Sequence, residues 1–176
     1  AGIDGPFFFS PVSDKRHAMP RQPLALRRRR RWLLTCHRRD AEGRNRVVAF
    51  RSDDDGRAWS ATTLDPVPPH VPAGHHRGVR WQNHGCEPTA VELADGRIWM
   101  VIRTSQDNHY ESFSDDVGET WTPPAPSRFH GTLTMPTFFR MSDGRILFFW
   151  CNTTPLPELD HDLQQGLLDW ERDGRG

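Results

Sequence analysis

The chain has 176 residues, 23 basic and 23 acidic, so its formal net charge is zero and bulk electrostatics give no reason to expect a polyanionic partner such as nucleic acid. Apolar residues make up 35% and charged residues 26%, the balance of one ordinary globular domain rather than a disordered chain. No run of 18 apolar residues occurs, which excludes a membrane-spanning helix.

The opening segment Ala1–Phe9 lacks an initiator Met, and its Phe7-Phe8-Phe9 has no basic flank, so it is not a legible signal peptide and the true start is expected upstream. Short apolar stretches then recur between turn residues: Trp32–Cys36, Val47–Phe50, Thr89–Leu93, Ile98–Ile102, Met135–Met141 and Ile146–Trp150. Their strand-like length, their β-branched and aromatic content and the Asp-Gly, Pro and Ser clusters between them predict an all-β fold. The best helix candidate is Leu159–Trp170, weakened by Gly166. Arg27–Arg31 falls between two predicted strands and reads as a solvated turn rather than a nucleic-acid patch. Cys36, Cys86 and Cys151, an odd number without C-x-x-C spacing, do not describe a disulfide framework. His70, His75, His76, His84 and Cys86 match no zinc signature and are expected in a Pro/Gly/His loop, so no metal is predicted.

Two repeats stand out. Asp95-Gly96-Arg97-Ile98 returns 48 residues later as Asp143-Gly144-Arg145-Ile146, each a tight turn before an apolar strand. Ser52–Trp59 and Ser114–Trp121 both fit S-x-D-x-G-x-x-W and lie 62 residues apart. In that motif Ser and Asp side chains bond the turn's own backbone, Gly takes the left-handed position and Trp packs back under the hairpin. Short strands and hairpins at such a period predict propeller blades.

S-x-D-x-G-x-x-W is the Asp-box. With two boxes at 52–59 and 114–121, and the segment Glu87-Pro88…Leu93-Ala94-Asp95-Gly96-Arg97-Ile98 running on to Arg103 between them, the chain resembles the sialidase (neuraminidase) family over roughly residues 19 to 151. The resemblance implies a six-bladed β-propeller of the sialidase type. Residues 1–176 would form a partial domain of about three blades, with the remainder beyond residue 176. A chain of this length is then expected to be inactive alone and to associate through its open strand edges.

The same resemblance implies an exo-acting glycoside hydrolase that removes a terminal sialic acid, or a related acidic sugar, with retention. Sialidases hold the sugar carboxylate with three arginines, protonate the leaving group with an aspartate and attack with a tyrosine activated by a glutamate. A neutral tyrosine avoids the repulsion that a carboxylate nucleophile would meet at an anomeric carbon bearing its own carboxylate. On this pattern Arg21, in Arg21-Gln22-Pro23, and Arg103 bind substrate, Glu87 serves the nucleophile and Asp40 is the general acid, which requires a raised pKa. Glu87 and Arg103 lie 16 residues apart, across one Asp-Gly hairpin, and are expected to share a pocket with Arg21 and Asp40 at its rim. Trp81 and His84 are candidates to line the sugar pocket. Tyr110, four residues before the second Asp-box, lies in a strand where the family does not keep its nucleophile and is not assigned that role. The third arginine is expected past Arg172 and Arg175, the two candidates near the end. The implied partner is a carbohydrate, and no cofactor is implied. The alternative is a non-catalytic Asp-box propeller that binds glycans or serves a structural role.

Overall fold

A computed structural model describes residues 17–18, 23–70, 84–131 and 134–152; for 17 and 18 it describes the backbone alone. Eleven strands and no helix occur among these residues. The helix candidate Leu159–Trp170 lies outside them, as do Arg21, Trp81, His75, His76, Arg172 and Arg175.

The first sheet contains β1 (His17–Ala18), β2 (Leu24–Leu26), β3 (Arg31–Arg39), β4 (Asn45–Ser52) and β5 (Ser60–Thr63). Strands β1 and β2 pair successive stretches of β3, so together they act as one broken inner strand. The second sheet runs β6 (Cys86–Glu92), β7 (Ile98–Arg103), β8 (Asn108–Ser114) and β9 (Ala125–His130) in chain order, all antiparallel. Strands β10 (Thr137–Arg140) and β11 (Ile146–Phe149) form a hairpin. The described residues thus build two propeller blades and the hairpin that begins a third, without a closed ring among them.

Each blade enters through a proline at or just before its inner strand: Pro23 before β2, Pro88 in β6 and Pro136 before β10. Proline has no N–H to donate, so it is tolerated at a strand's start or, as with Pro88, at a bulge. The turns that follow β6 and β10 are copies of each other. Asp95 Oδ1 accepts from Arg97 N at 3.0 Å, and Asp143 Oδ1 accepts from Arg145 N at 3.0 Å. Gly96 and Gly144 take φ 91° and 90°, a conformation that L side chains rarely adopt.

The two Asp-boxes share three bonds and differ at the tryptophan, where Trp59 Nε1 donates to Gly56 O at 3.0 Å and the buried Trp121 Nε1 has no partner. Ser52 Oγ donates to Asp54 Oδ1 and accepts from Gly56 N, both at 2.8 Å. Ser114 makes the same two bonds with Asp116 and Gly118 N at 2.8 Å. Asp54 and Asp116 each accept a further backbone N–H, from Ala58 and Thr120, at 2.8 Å.

Packing between blades has an apolar middle and polar clamps. Leu33, Val47 and Ala49 of the first blade meet Ile98, Met100 and Ile102 of the second in one buried core. Burying each larger side chain stabilises the fold by about 1.5–3 kcal/mol. Trp99 then joins the second blade to the third hairpin, with ring centroids 4.8 Å from Phe138 and 5.9 Å from Phe148. Glu92, buried at the end of β6, accepts the backbone N–H groups of Arg27 and Arg28 at 2.6 and 3.3 Å.

The arginine run divides in a way that corrects the expectation of one solvated turn. Arg27–Arg30 form an exposed turn, but Arg31 opens β3 and is only 5% exposed. Its guanidinium donates twice to Asp53, at 2.8 and 2.6 Å, and once each to Glu119 at 2.6 Å and to Val117 O at 3.1 Å. Arg51 reaches the same place, donating to Gly118 O at 2.7 Å. Arginine's planar fork lets Arg31 bind the first Asp-box and the second at once.

Candidate active site

Strand direction decides which end of the blades can hold a site. The Asp-boxes follow β4 and β8, at the end where β3 and β7 begin. At the opposite end β3 finishes in His37 and the Asp40–Arg44 turn, β6 begins at Cys86 and Glu87, and β7 finishes at Arg103. A cavity of about 400 Å³ lies between the inner strands, nearer their middle, and none of Glu87, Arg103 and Asp40 lines it. Its lining includes Leu24 and Thr35 of the first blade, Thr89 of the second, and Thr137 and Arg140 of the third hairpin.

Glu87 and Arg103 are in direct contact. Arg103 Nη1 donates to Glu87 Oε2 at 2.7 Å, and the two side chains are 19% and 12% exposed. The contact follows from register: Cys86 pairs with Arg103, and a β-bulge between Cys86 and Thr89 takes Glu87 out of the regular ladder. The buried Nε of Arg103 has no hydrogen-bond partner.

The backbone at Glu87 is strained. Its φ is 43°, although it is neither glycine nor asparagine and it precedes a proline, which disfavours helical backbone conformations. Such a conformation costs about 1–3 kcal/mol and persists only where the surroundings over-determine it. Three contacts do so here. Glu87 N donates to His37 Nδ1 at 3.1 Å, Arg103 holds the carboxylate, and Pro88 O accepts from Thr35 Oγ1 at 3.0 Å. His37 and Thr35 carry no sequence signal, since nothing in the pattern LLTCHRR separates them from ordinary strand residues. His84 (φ 46°) and Gly85 (φ 91°) make the bend that delivers β6 to this point.

Asp40 has the surroundings of a turn carboxylate. Its Oδ1 accepts from Arg44 N at 2.8 Å and Glu42 N at 3.1 Å, and its Oδ2 accepts from Arg44 Nε at 3.0 Å. Partial desolvation pushes its pKa up, but the Arg44 backbone and guanidinium and the Glu42 N–H outweigh it and hold the carboxyl below the usual range. The raised pKa expected of a general acid is therefore not what this turn produces, because every donor around the carboxyl stabilises its charged form. Tyr110 belongs to the buried core, and burial pushes its pKa up. Among the described residues no cluster of three or more His, Cys, Asp or Glu side chains is arranged to hold a metal ion.

The BNR repeat-like domain family matches residues 14–164, which takes in both Asp-boxes and the strained glutamate. The chain belongs to that family. Its fold is also that of solved propellers. A leech intramolecular trans-sialidase, complexed with 2,7-anhydro-Neu5Ac, superposes with a TM-score of 0.53 at 22% identity, over 76% of this chain and 19% of that one. A Dyadobacter fermentans protein of unknown function superposes with a TM-score of 0.51 at 19% identity, over 72% of this chain and 32% of that one. This BNR-repeat chain thus spans about a fifth and a third of those two proteins. No curated protein matches it. The fold is that of a sialidase-type β-propeller carrying BNR repeats.

Proposed function

We propose that this BNR-repeat protein supplies part of the active site of an exo-acting glycoside hydrolase of the sialidase type, acting on a terminal sialic acid or a related acidic sugar. The observation that carries the reading is the Glu87–Arg103 pair on a strained, over-determined backbone, at the blade end opposite the Asp-boxes. Strained backbone of this kind clusters at active sites and ligand clamps, which supports a functional role for this carboxylate.

Arg103 would grip the sugar carboxylate through its fork, together with Arg21. Glu87 would act as the base that activates the nucleophile, and its negative charge would keep Arg103 oriented until substrate arrives. The hairpin end that carries Arg38, Arg39, Arg44 and Arg46 against Asp40 and Glu42 gives this side an excess of positive charge, which favours an anionic ligand. The sequence's single tyrosine, Tyr110, lies in the buried core and is not assigned as the nucleophile. Asp40 would serve as general acid only after its carboxyl leaves Arg44 and meets the leaving-group oxygen.

One observation favours the second reading, a non-catalytic glycan-binding propeller: Asp40 is bound as an anion by its own turn. Release of an activated phenol from an aryl α-sialoside by the intact protein separates the two. Turnover that disappears in Glu87→Gln supports the hydrolase. Binding of sialosides with no turnover in the wild type supports the binding module and ends the hydrolase reading.

A further inference from the structure

We infer that His37 is a positioning residue for Glu87, the first blade's contribution to a site whose charged groups stand on the second; the inference rests on the reading of Glu87 as a functional carboxylate.

The bulge leaves Glu87 with a backbone N–H that has no place in the β6–β7 ladder. An unpartnered N–H at a mostly buried position is costly, so an acceptor must come from elsewhere. His37, 7% exposed on β3, supplies it through Nδ1 at 3.1 Å. To accept, Nδ1 must be unprotonated, so the neutral ring carries its proton on Nε2. Arg103 holds the other end of the same residue, at the carboxylate. Glu87 is thereby fixed at its N–H by one blade and at its Oε2 by its own, and a change in blade packing changes the direction of the carboxylate. Thr35, two residues before His37 on the same strand, fixes the next peptide through Pro88 O at 3.0 Å. One face of β3 therefore sets the conformation of the whole Glu87-Pro88 step.

The test compares His37→Asn with His37→Leu in the intact protein. Asparagine places an acceptor oxygen near the position of Nδ1, whereas leucine fills similar space without one. The first readout is hydrogen exchange at the Glu87 amide, which needs no activity. We expect protection to fall at least about 10-fold in His37→Leu and to stay within about 3-fold of wild type in His37→Asn. The second readout is turnover of an aryl α-sialoside, where His37→Leu is expected to lower kcat with little change in KM, and His37→Asn to restore it. Unchanged Glu87 protection in His37→Leu, or equal loss in both variants, overturns the positioning role. If the exchange pattern is as expected but wild type cleaves no acidic glycoside, His37 still positions Glu87 and it is the hydrolase reading that fails.

Discussion

Glu87 Oε2 and Arg103 Nη1 lie 2.7 Å apart, and the glutamate reaches this contact from a backbone with φ 43°. Arg103 holds Glu87 through Nη1, while its buried Nε has no partner. Neutralising the glutamate should free more of the fork. Glu87→Gln is therefore expected to bind an anionic sugar as tightly as wild type or a few-fold tighter, while turnover falls by about 10²–10⁴ as the base is lost. Calorimetric binding and steady-state kinetics on the same preparation check it. Weaker binding alongside the lost turnover would contradict it.

Asp40 offers a different outcome. Because the carboxylate ties the β3–β4 turn together, Asp40→Ala is expected to lower the melting temperature, and Asp40→Asn, which keeps an acceptor, to lower it less. If Asp40 also donates a proton, Asp40→Ala must depress turnover of natural glycosides more than that of aryl glycosides, whose leaving groups need less protonation. Equal losses on both would leave Asp40 as the anchor of a turn.

Arg31 joins the two Asp-boxes through Asp53 and Glu119. Its removal leaves Val117 O and the two carboxylates without their shared donor. Arg31→Ala should lower the melting temperature by roughly 5–10 °C, and Arg31→Lys by nearly as much, because a point charge cannot span both partners. Scanning calorimetry of the three proteins tests this, and a lysine variant that melts like wild type would contradict it.

His109 carries a pH prediction. Fully buried at the start of β8, its imidazole is held neutral, with a pKa lowered to about 4 by burial, opposed by a bond with the Ile102 backbone and assisted by the nearby Arg103 charge. The unfolded chain takes up this proton near pH 6.5, and the folded protein does so only near 4. Stability is thus full above about pH 6.5 and falls as the pH drops towards 4, by about 3 kcal/mol from this group. Below that range Asp40, Asp53 and Asp116, all with lowered pKa values, add a further loss as they protonate. Denaturant titrations at pH 7.5 and 5 should show the first slope in wild type and a flatter one in His109→Gln.

Part of this architecture was legible in the sequence for identifiable reasons. The Asp-boxes and Asp-Gly turns use side-chain-to-backbone bonds inside one hairpin, so the residues that make them are neighbours in the chain. The nearness of Glu87 and Arg103 was legible for the same reason, since a single hairpin lies between them. Strand β8 was legible only through its place before the second Asp-box and not as an apolar stretch, because Asn108, His109, Ser112 and Ser114 give it a polar composition although four of its seven residues are buried. Five consecutive arginines look alike in sequence, and only the position of the second Asp-box shows that Arg31 is the buried one. The bond from Glu87 to His37 crosses 50 residues and two blades, and no local pattern announces it.

On the proposed function, Arg103, oriented by Glu87, would receive the carboxylate of an acidic sugar. The most direct measurement is an NMR titration with N-acetylneuraminic acid and with its methyl ester, which has the same shape without the charge. The account predicts that the free acid shifts the Glu87 and Arg103 signals, that the ester binds at least about 10-fold more weakly, and that Arg103→Lys abolishes the difference. Equal binding of acid and ester, or shifts that avoid Glu87 and Arg103, would contradict it.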